Sequence, residues 1–126
     1  MKKTFISEQA KEFRTKYNIA NSRVQGTRSY QKSLIVEEFK EFIEAEGMLF
    51  RQSDEFHEHA LKELADLVYV CYQYAANMDW FLDEALSRVH KSNMSKLGED
   101  GKPIYRDDGK VLKGPDSEPP TLTDLI

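Results

Sequence analysis

Two pairs of carboxylates spaced three residues apart are the feature that most constrains this chain. One pair is Glu38 and Glu41, and the other is Glu63 and Asp66. Residues at i and i+3 lie on the same face of a helix, and at about 100° per residue each pair shares its arc with apolar side chains. These apolar neighbours are Leu34, Ile35, Phe42 and Ala45 for the first pair, and Ala60, Leu67, Val70 and Tyr74 for the second. The pattern predicts two helices whose apolar faces each carry two acidic side chains.

Carboxylates within an apolar face are costly unless they have a partner. An acidic run on a helix is usually a solvated face, but here Glu37, Lys40 and Glu44 take the solvated positions or the edge of the apolar arc. The two apolar faces offer no comparable set of lysines or arginines. Carboxylate oxygens are the ligands that hard divalent cations such as Mg²⁺ and Mn²⁺ prefer. The residues therefore predict that all four carboxylates of the two pairs converge on bound metal.

Apolar periodicity and capping residues predict an all-α, four-helix-bundle-like fold. We expect helices over about 5–17, from Thr27 or Ser29 to about Glu46, over about 54–77 and over about 80–97. Gly47 and Gly98 would end the second and fourth helices, and Asp79 would cap the start of the fourth. The third helix is apolar on most sides, which is typical of the central helix of a bundle.

The remaining residues, about 98–126, differ from the helical core and contain all four prolines. Residues 102–113 contain an Asp-Gly pair between short apolar runs, which predicts a small hairpin. Residues 114–126 are expected to be extended or partly mobile. The whole chain of 126 residues is expected to form one domain, with a helical core at about 5–97 and this appendage.

Composition excludes several classes of function. The net charge of −4 and the pI near 5.4 give no indication of a nucleic-acid polymer or an anionic membrane surface as partner. No apolar run approaches the roughly 18 residues of a membrane span, and the first residues do not resemble a signal peptide. The single Cys71 fits a reducing compartment, so we expect a cytoplasmic protein.

The end of the fourth predicted helix is basic and polar, with Lys91, Asn93 and Lys96. On its own, such a segment is explained by a favourable interaction with the helix dipole. Beside a carboxylate–metal site, the same side chains could bind phosphates that the metal also binds. Arg106, Lys110 and Lys113 on the hairpin could join them.

The two acidic pairs and the residues that follow them resemble a known group of enzymes. The spacing of Glu38-x-x-Glu41 and Glu63-x-x-Asp66 resembles that of the MazG-like all-α NTP pyrophosphohydrolase superfamily. The Glu37-Glu38 doublet, the run Glu-Leu-Ala-Asp-Leu-Val-Tyr-Val at 63–70 and the segment His-Lys-Ser-Asn-Met-Ser-Lys at 90–96 are similar to its single-domain members, including phage-encoded ones. The resemblance covers about residues 28–120.

The resemblance implies hydrolysis of a (d)NTP to the (d)NMP and pyrophosphate with Mg²⁺ or Mn²⁺. It also implies a homo-oligomer, a dimer or a tetramer, whose subunits could share active sites. It implies that Glu38, Glu41, Glu63 and Asp66 are metal ligands and that Glu37 activates or positions the attacking water. Lys91, Asn93 and Lys96 would contact the phosphates. Four carboxylates carry enough charge to balance two divalent ions. A phage-encoded protein would act in the host cytoplasm.

Base recognition and the exclusion of other functions stay more open. The base could stack on or bond to Asn21, Arg28, Phe13, Trp80 or Tyr69, and relatives that act on (d)GTP favour a purine.

An alternative is a non-catalytic nucleotide-binding or regulatory module of the same fold, but a degenerate site would be expected to lose one of the four carboxylates. A third reading is a di-metal site for oxygen chemistry. The absence of a Glu-x-x-His motif argues against it.

Overall fold

The computed structural model describes residues 5–126, where it shows four α-helices and one two-stranded sheet. The helices are α1 (Ile6–Lys16), α2 (Gln25–Glu46), α3 (Asp54–Met78) and α4 (Leu82–Met94); the strands are β1 (Ile104–Tyr105) and β2 (Val111–Leu112); a 3₁₀ turn spans Thr123–Leu125. The prediction of an all-α fold is confirmed. No helix among the described residues is long and apolar enough to cross a membrane. Residues 1–4, on which the expectation of no signal peptide partly rests, lie outside the described residues.

The chain divides into two compact units, Met1–Trp80 and Phe81–Ile126. The predicted boundary between the helical core and the appendage lay near residue 97, whereas α4 belongs to the second unit. The expectation of one domain over residues 1–126 stays a prediction.

In the first unit, α2 and α3 form a helical hairpin whose connection is residues 47–53, and α1 packs on α3. The apolar arcs predicted from the sequence lie at the α2–α3 contact. Ala45 and Ala60 are buried there, and Leu34, Ile35 and Phe42 are half-buried. Small residues at such a contact let two helices approach closely.

The two ends of α3 are covered to different extents. Its last turns are buried, with Tyr72, Ala75 and Met78 all below 8% exposure. Towards its start, Leu61 is 66% exposed and Val68 is 42% exposed. The prediction that the third helix lies centrally is confirmed, because it packs against both α1 and α2, but within this single chain it is not covered on all sides.

A buried arginine holds α1, the following loop and the end of α3 together. The guanidinium of Arg14 donates to Asn21 Oδ1 at 2.7 Å, to Asn77 Oδ1 at 3.0 Å and to Gln73 Oε1 at 3.3 Å. Asn77 also accepts from the backbone N–H of Ser22 and donates to its carbonyl. Burial lowers the pKa of Arg14, and the nearby Asp79 opposes that shift. Asn21, a candidate for base binding, is therefore engaged in holding the loop.

The predicted end of α2 at about Glu46 is confirmed, but its predicted start and the predicted capping at both of its ends are wrong. α2 begins at Gln25, ahead of Thr27, and its N-cap Val24 has no side-chain bond. Gly47 follows α2 with φ −60°, so the left-handed conformation of a C′ glycine is not used there.

The junction between α3 and α4 also differs from the prediction. Asp79 does not start the fourth helix. It ends α3 in the left-handed conformation at φ 58°, and the N–H of Trp80 donates to the carbonyl of Ala75 at 2.9 Å. An aspartate tolerates this conformation better than most residues. α4 begins three residues later, at Leu82, and ends at Met94 rather than near residue 97.

In the second unit, the predicted hairpin is confirmed. Ile104 pairs with Leu112 and Tyr105 with Val111, and Gly109 supplies the positive φ of 89° that the Asp-Gly turn needs. The segment after the hairpin is ordered by α4 rather than simply extended. Gly114 donates to the carbonyl of Lys96, and a Cβ there would lie 2.1 Å from the carbonyl oxygen of Leu97.

The end of this segment is bound by an arginine of α4. Arg88 donates to Glu84, to the carbonyl of Thr121 and to both carboxylate oxygens of Asp124, at 2.6 and 2.9 Å. The hydrogen bonds from Arg88 hold the pKa of Asp124 below its usual value. The expectation that residues 114–126 are extended or partly mobile is therefore wrong at its C-terminal end, where the 3₁₀ turn lies.

Candidate active site

Three of the four predicted ligand carboxylates meet at the contact between α2 and α3. One oxygen each from Glu38, Glu41 and Glu63 lies within 4.8 Å of the others. Oxygen ligands lie about 2.0–2.6 Å from a Mg²⁺ or Ca²⁺ ion, so one cation can contact three oxygens spaced in this way. We call this group the carboxylate cluster.

The carboxylate cluster contains buried oxygens without a hydrogen-bond partner. Oε2 of Glu38 and Oε2 of Glu63 are both buried and unpartnered among the described residues. Burial raises the pKa of Glu38, and so do a hydrogen bond with Glu41 and the charges of Glu41, Asp66 and Glu63. Unpaired buried acceptors and mutual repulsion are unfavourable, and a divalent cation would relieve both. The residues present therefore fit a metal ion.

Asp66 lies outside the carboxylate cluster because a lysine holds it. Lys62 Nζ is 2.6 Å from Asp66 Oδ2 and 3.6 Å from Glu63 Oε1. His59 Nδ1 lies 3.8 Å from the same Glu63 oxygen. The two apolar faces offer no comparable set of basic side chains, but Lys62 is one cation beside these carboxylates, and its i,i+4 spacing from Asp66 is the sequence signal for this pair. The Lys62 side chain is 63% exposed, so this pair is weak and easily exchanged.

Glu37, the predicted water-activating residue, lies on another side of α2. It is exposed and is not a member of the carboxylate cluster. One residue corresponds to about 100° around the helix, so Glu37 cannot share the face of Glu38. Its role stays a prediction.

The two residues predicted to bind substrate in the first unit have different surroundings. Arg28 is exposed in the first turn of α2. Tyr69 contacts Phe13 edge to face, with 5.7 Å between ring centroids, and lines a cavity of about 270 Å³ between α1 and α3. Trp80, another base candidate, packs on Tyr74 at 5.7 Å.

In the second unit, the predicted phosphate-binding residues line two cavities. Asn93 and Lys96 line one of about 240 Å³ together with Lys113, and Lys91 lines another of about 450 Å³. Residues 118–120 border both cavities. They are held against α4 by Ser92, whose hydroxyl donates to the carbonyl of Glu118 at 2.6 Å. The sequence indicated Lys113 only as a possible addition, and its place beside Lys96 supports that suggestion. Arg106 instead pairs with Asp108.

Comparison with known proteins gives one family. The family model described as phosphoribosyl-ATP pyrophosphohydrolase matches residues 1–93, about three quarters of the chain. The matched stretch includes both acidic pairs, Lys91 and Asn93, and ends before Lys96. No curated protein matches the chain. The family lies within the MazG-like all-α NTP pyrophosphohydrolase superfamily, as the sequence indicated. The chain therefore belongs to the phosphoribosyl-ATP pyrophosphohydrolase family and is a hydrolase that acts on a nucleotide phosphoanhydride bond.

Proposed function

We propose that this chain is a metal-dependent pyrophosphohydrolase that converts a (d)NTP and water to the (d)NMP and pyrophosphate. The observation that carries the proposal is the carboxylate cluster, with its buried, unpartnered oxygens on Glu38 and Glu63. A bound divalent cation would partner these oxygens and relieve the repulsion among the three carboxylates. The family match supports the reaction class, because its members cleave a nucleotide phosphoanhydride and depend in general on divalent metal.

The chain's own residues would divide the work as follows. Glu38, Glu41 and Glu63 would hold Mg²⁺ or Mn²⁺, and Asp66 would add a fourth carboxylate once it leaves Lys62. We propose two or more ions per site, because the four carboxylates alone balance two divalent ions and the phosphates of the substrate add further negative charge. A bound divalent ion neutralises charge on phosphate oxygens and makes a coordinated water more acidic.

Proton transfer and phosphate binding need further groups. Glu37 is the candidate that accepts the proton of the attacking water. Because Glu37 lies about 100° around α2 from Glu38, the water would have to lie at the edge of the carboxylate cluster to reach it. Lys91, Asn93 and Lys96 are proposed to bind phosphate oxygens. Lysines serve this purpose as point charges, and an asparagine amide supplies a directed donor. Arg28 is a further candidate, because this residue is exposed to solvent in the first turn of α2 and could contact a bound phosphate.

Two substrates follow from different observations. The sequence favours a purine triphosphate such as (d)GTP. The name of the matched family favours phosphoribosyl-ATP, in which the same α–β phosphoanhydride bond would be cleaved. The alternative of a non-catalytic nucleotide-binding module is opposed by the presence of all four carboxylates. We expect the protein to act in the cytoplasm, that of the host if it is phage-encoded.

We also propose that the working form is a homo-oligomer, because one side of the first unit exposes apolar side chains in a continuous pattern. Val36, Phe39 and Ile43 on α2 are 46–51% exposed, and Leu61, Leu64 and Val68 on α3 are 41–66% exposed. We call these six residues the apolar stripe. Each set lies about 100–160° around its helix from Glu38 or Glu63, in the same sense.

Because α2 and α3 are antiparallel, equal rotations in the same sense lead to the same side of the two-helix layer. α1 packs through the opposite side of α3, where Gln73 and Asn77 meet Arg14. A second copy of this chain is the proposed occupant, since two self-complementary stripes related by a twofold axis bury each other. A dimer or a tetramer could bring residues of a neighbouring copy to the active site.

Replacement of Phe39 by Asp tests the oligomer. The molar mass from light scattering should fall from that of a dimer or tetramer to that of one chain. Tyr30→Ser is the matched control, because Tyr30 is 61% exposed on α2 but lies away from the apolar stripe. A wild-type protein that is monomeric at micromolar concentration would refute this part of the proposal.

The reaction itself is tested by a substrate panel. Wild-type protein with Mg²⁺ or Mn²⁺ is incubated with each ribo- and deoxyribonucleoside triphosphate and with phosphoribosyl-ATP, and products are separated by anion exchange. Monophosphate and pyrophosphate from one or a few triphosphates would support the proposal. Turnover of phosphoribosyl-ATP alone would select the second substrate. Diphosphate and orthophosphate would show a different reaction, and no turnover with metal bound would favour the non-catalytic module.

A further inference from the structure

The cavity between α1 and α3 has an aromatic wall. Phe13 lies 4.6 Å from Tyr17 and 5.7 Å from Tyr69 between ring centroids. The three rings line one cavity of about 270 Å³ with Gln9, Glu12 and Lys16. We call it the aromatic cavity. Ligand sites for whole drug-sized molecules are about 300–1,000 Å³, so this cavity suits a single flat ring system better than an entire nucleotide.

The polar side chains of the aromatic cavity are chemically selective. Glu12 contributes a carboxylate, which accepts hydrogen bonds and donates none when ionised. Burial raises the pKa of Tyr69, with a further contribution from the charge of Glu12, so the acid and the ring are close neighbours. Lys16 contributes a donor one turn away along α1.

The aromatic cavity lies beyond the carboxylates along α3, and its Tyr69 is about 120° around the helix from Glu63. Glu63, Asp66 and Tyr69 follow one another at intervals of three residues. Each interval advances about 4.5 Å along the helix, so Tyr69 is about 9 Å beyond Glu63 in that direction. That spacing is on the scale of a nucleotide, whose phosphates and base occupy opposite ends.

We propose that the aromatic cavity binds the guanine base of the substrate. The rings of Phe13, Tyr17 and Tyr69 would contact the base faces, and the Glu12 carboxylate would accept hydrogen bonds from guanine N1–H and the 2-amino group. This inference rests on the proposed function, because it assigns the base end of the same substrate.

Guanine fits this wall better than the other bases do. Its Watson–Crick edge presents two adjacent donors, which match the two oxygens of a carboxylate. Adenine and cytosine each present one amino group beside a ring acceptor, and thymine and uracil present one imide N–H between two carbonyls. A carboxylate facing those acceptors would be repelled. Lys16 would complete the match by donating to guanine O6 or N7, the acceptors that lysine commonly reads.

The test compares base preference in wild type, Glu12→Gln and a matched control. Glu8→Gln makes the same change on α1 at a position that does not line the aromatic cavity. kcat/KM is measured for dGTP, dITP and dATP with saturating metal. dITP differs from dGTP only in lacking the 2-amino group, so the ratio of the two reports the bond to Glu12.

We expect wild type and Glu8→Gln to prefer dGTP over dITP by about tenfold, the value of one hydrogen bond to a charged acceptor. Glu12→Gln should lower kcat/KM for both substrates, because the base of dITP keeps the N1–H, and the larger loss for dGTP should bring the ratio close to one. Phe13→Leu should weaken all three substrates to a similar extent, because stacking does not depend on the base edge. Melting temperatures of the variants check that each is folded.

The outcomes separate this inference from the proposed function. If wild type hydrolyses triphosphates but Glu12→Gln keeps the dGTP preference, or if wild type prefers another base, the aromatic cavity does not read guanine and the proposed reaction stands. If no triphosphate is hydrolysed, the proposed function fails and binding of dGMP decides the cavity. Binding by wild type that Glu12→Gln weakens about tenfold would support the cavity assignment, and no binding would overturn it.

Discussion

The two ends of α3 perform different tasks although one continuous helix connects them. At its C-terminal end, Gln73 and Asn77 are buried and fully engaged with Arg14 and the loop after α1. Towards its N-terminal end, Glu63 is buried too, but one of its oxygens has no hydrogen-bond partner within residues 5–126. Both ends bury polar groups, and only one of them satisfies those groups.

The difference in hydrogen bonding suggests that one end of α3 stabilises the fold and that the other end binds a ligand. Buried polar groups with complete hydrogen bonding make a structure rigid and specific, whereas unpartnered buried groups cost stability. Residues 63 and 77 are about 21 Å apart along the helix axis. The satisfied end holds α1, the loop and α3 in place, and the unsatisfied end is the proposed metal site. Substitutions at the two ends should therefore change different measured quantities.

The largest effect is expected for Glu41→Gln and Asp66→Asn, each of which removes the charge of a proposed metal ligand. kcat/KM should fall by about a thousandfold, or about 4 kcal/mol of barrier, with no loss of melting temperature in the absence of metal. The control is Glu44→Gln, which changes an exposed glutamate of α2 outside the carboxylate cluster. Activity above about a tenth of wild type in either variant would remove that residue from the metal site.

The next largest effect belongs to the satisfied end. Asn77→Ala removes one of the acceptors of the buried Arg14 guanidinium and both bonds from this side chain to the backbone of Ser22, so unfolding should require about 2–4 kcal/mol less free energy. Urea denaturation measures this directly, and Gln52→Ala on the exposed α2–α3 connection should change it by less than about 0.5 kcal/mol. Metal dependence of the folded enzyme should be unchanged. A variant with normal stability and altered metal dependence would contradict the division between the two ends.

A smaller effect, of opposite sign, is expected when a charge is removed from the carboxylate cluster of the metal-free protein. Glu38→Gln should stabilise it by about 0.5–1 kcal/mol at pH 7, because like charges repel. The pKa of Glu38 is raised in the folded state, so its ionised form disfavours folding and this penalty disappears as pH falls through the raised pKa. The advantage of Glu38→Gln should thus shrink on acidification. An advantage that grows at low pH would mean that Glu38 is stabilised as an anion.

Much of the carboxylate cluster could be predicted from helical phase. Two carboxylates in an apolar arc of one helix, facing a similar pair on a second, leave few arrangements other than convergence, and Glu38, Glu41 and Glu63 do converge. The position of the Asp66 carboxylate is harder to predict, because it can either join the carboxylate cluster or pair with Lys62. Spacing alone identifies both options and does not decide between them.

Other features depend on contacts that sequence patterns do not reveal. The order of the last residues comes from Arg88 reaching Asp124, a pairing across 36 positions. Asp79 is a residue type that often caps the start of a helix, yet here it adopts the left-handed conformation and ends α3 instead. The Arg14 network was missed because a basic residue on a short helix usually points to solvent, and only the asparagine and glutamine on α3 make its burial favourable.

The smallest effect is expected for Lys62, which lies beside the carboxylate cluster and pairs with Asp66. Lys62→Gln removes the ammonium that occupies Asp66 and approaches Glu63. If Asp66 becomes a metal ligand when it leaves Lys62, this variant should bind Mn²⁺ about two- to fivefold more tightly, the range set by one exposed ion pair. Calorimetric titration measures the affinity, and Lys40→Gln, an exposed lysine of α2, is the control. Weaker binding in Lys62→Gln would instead mean that Lys62 orients Asp66 towards the cluster, so that the pair works as a positioning device rather than as a competitor for the metal.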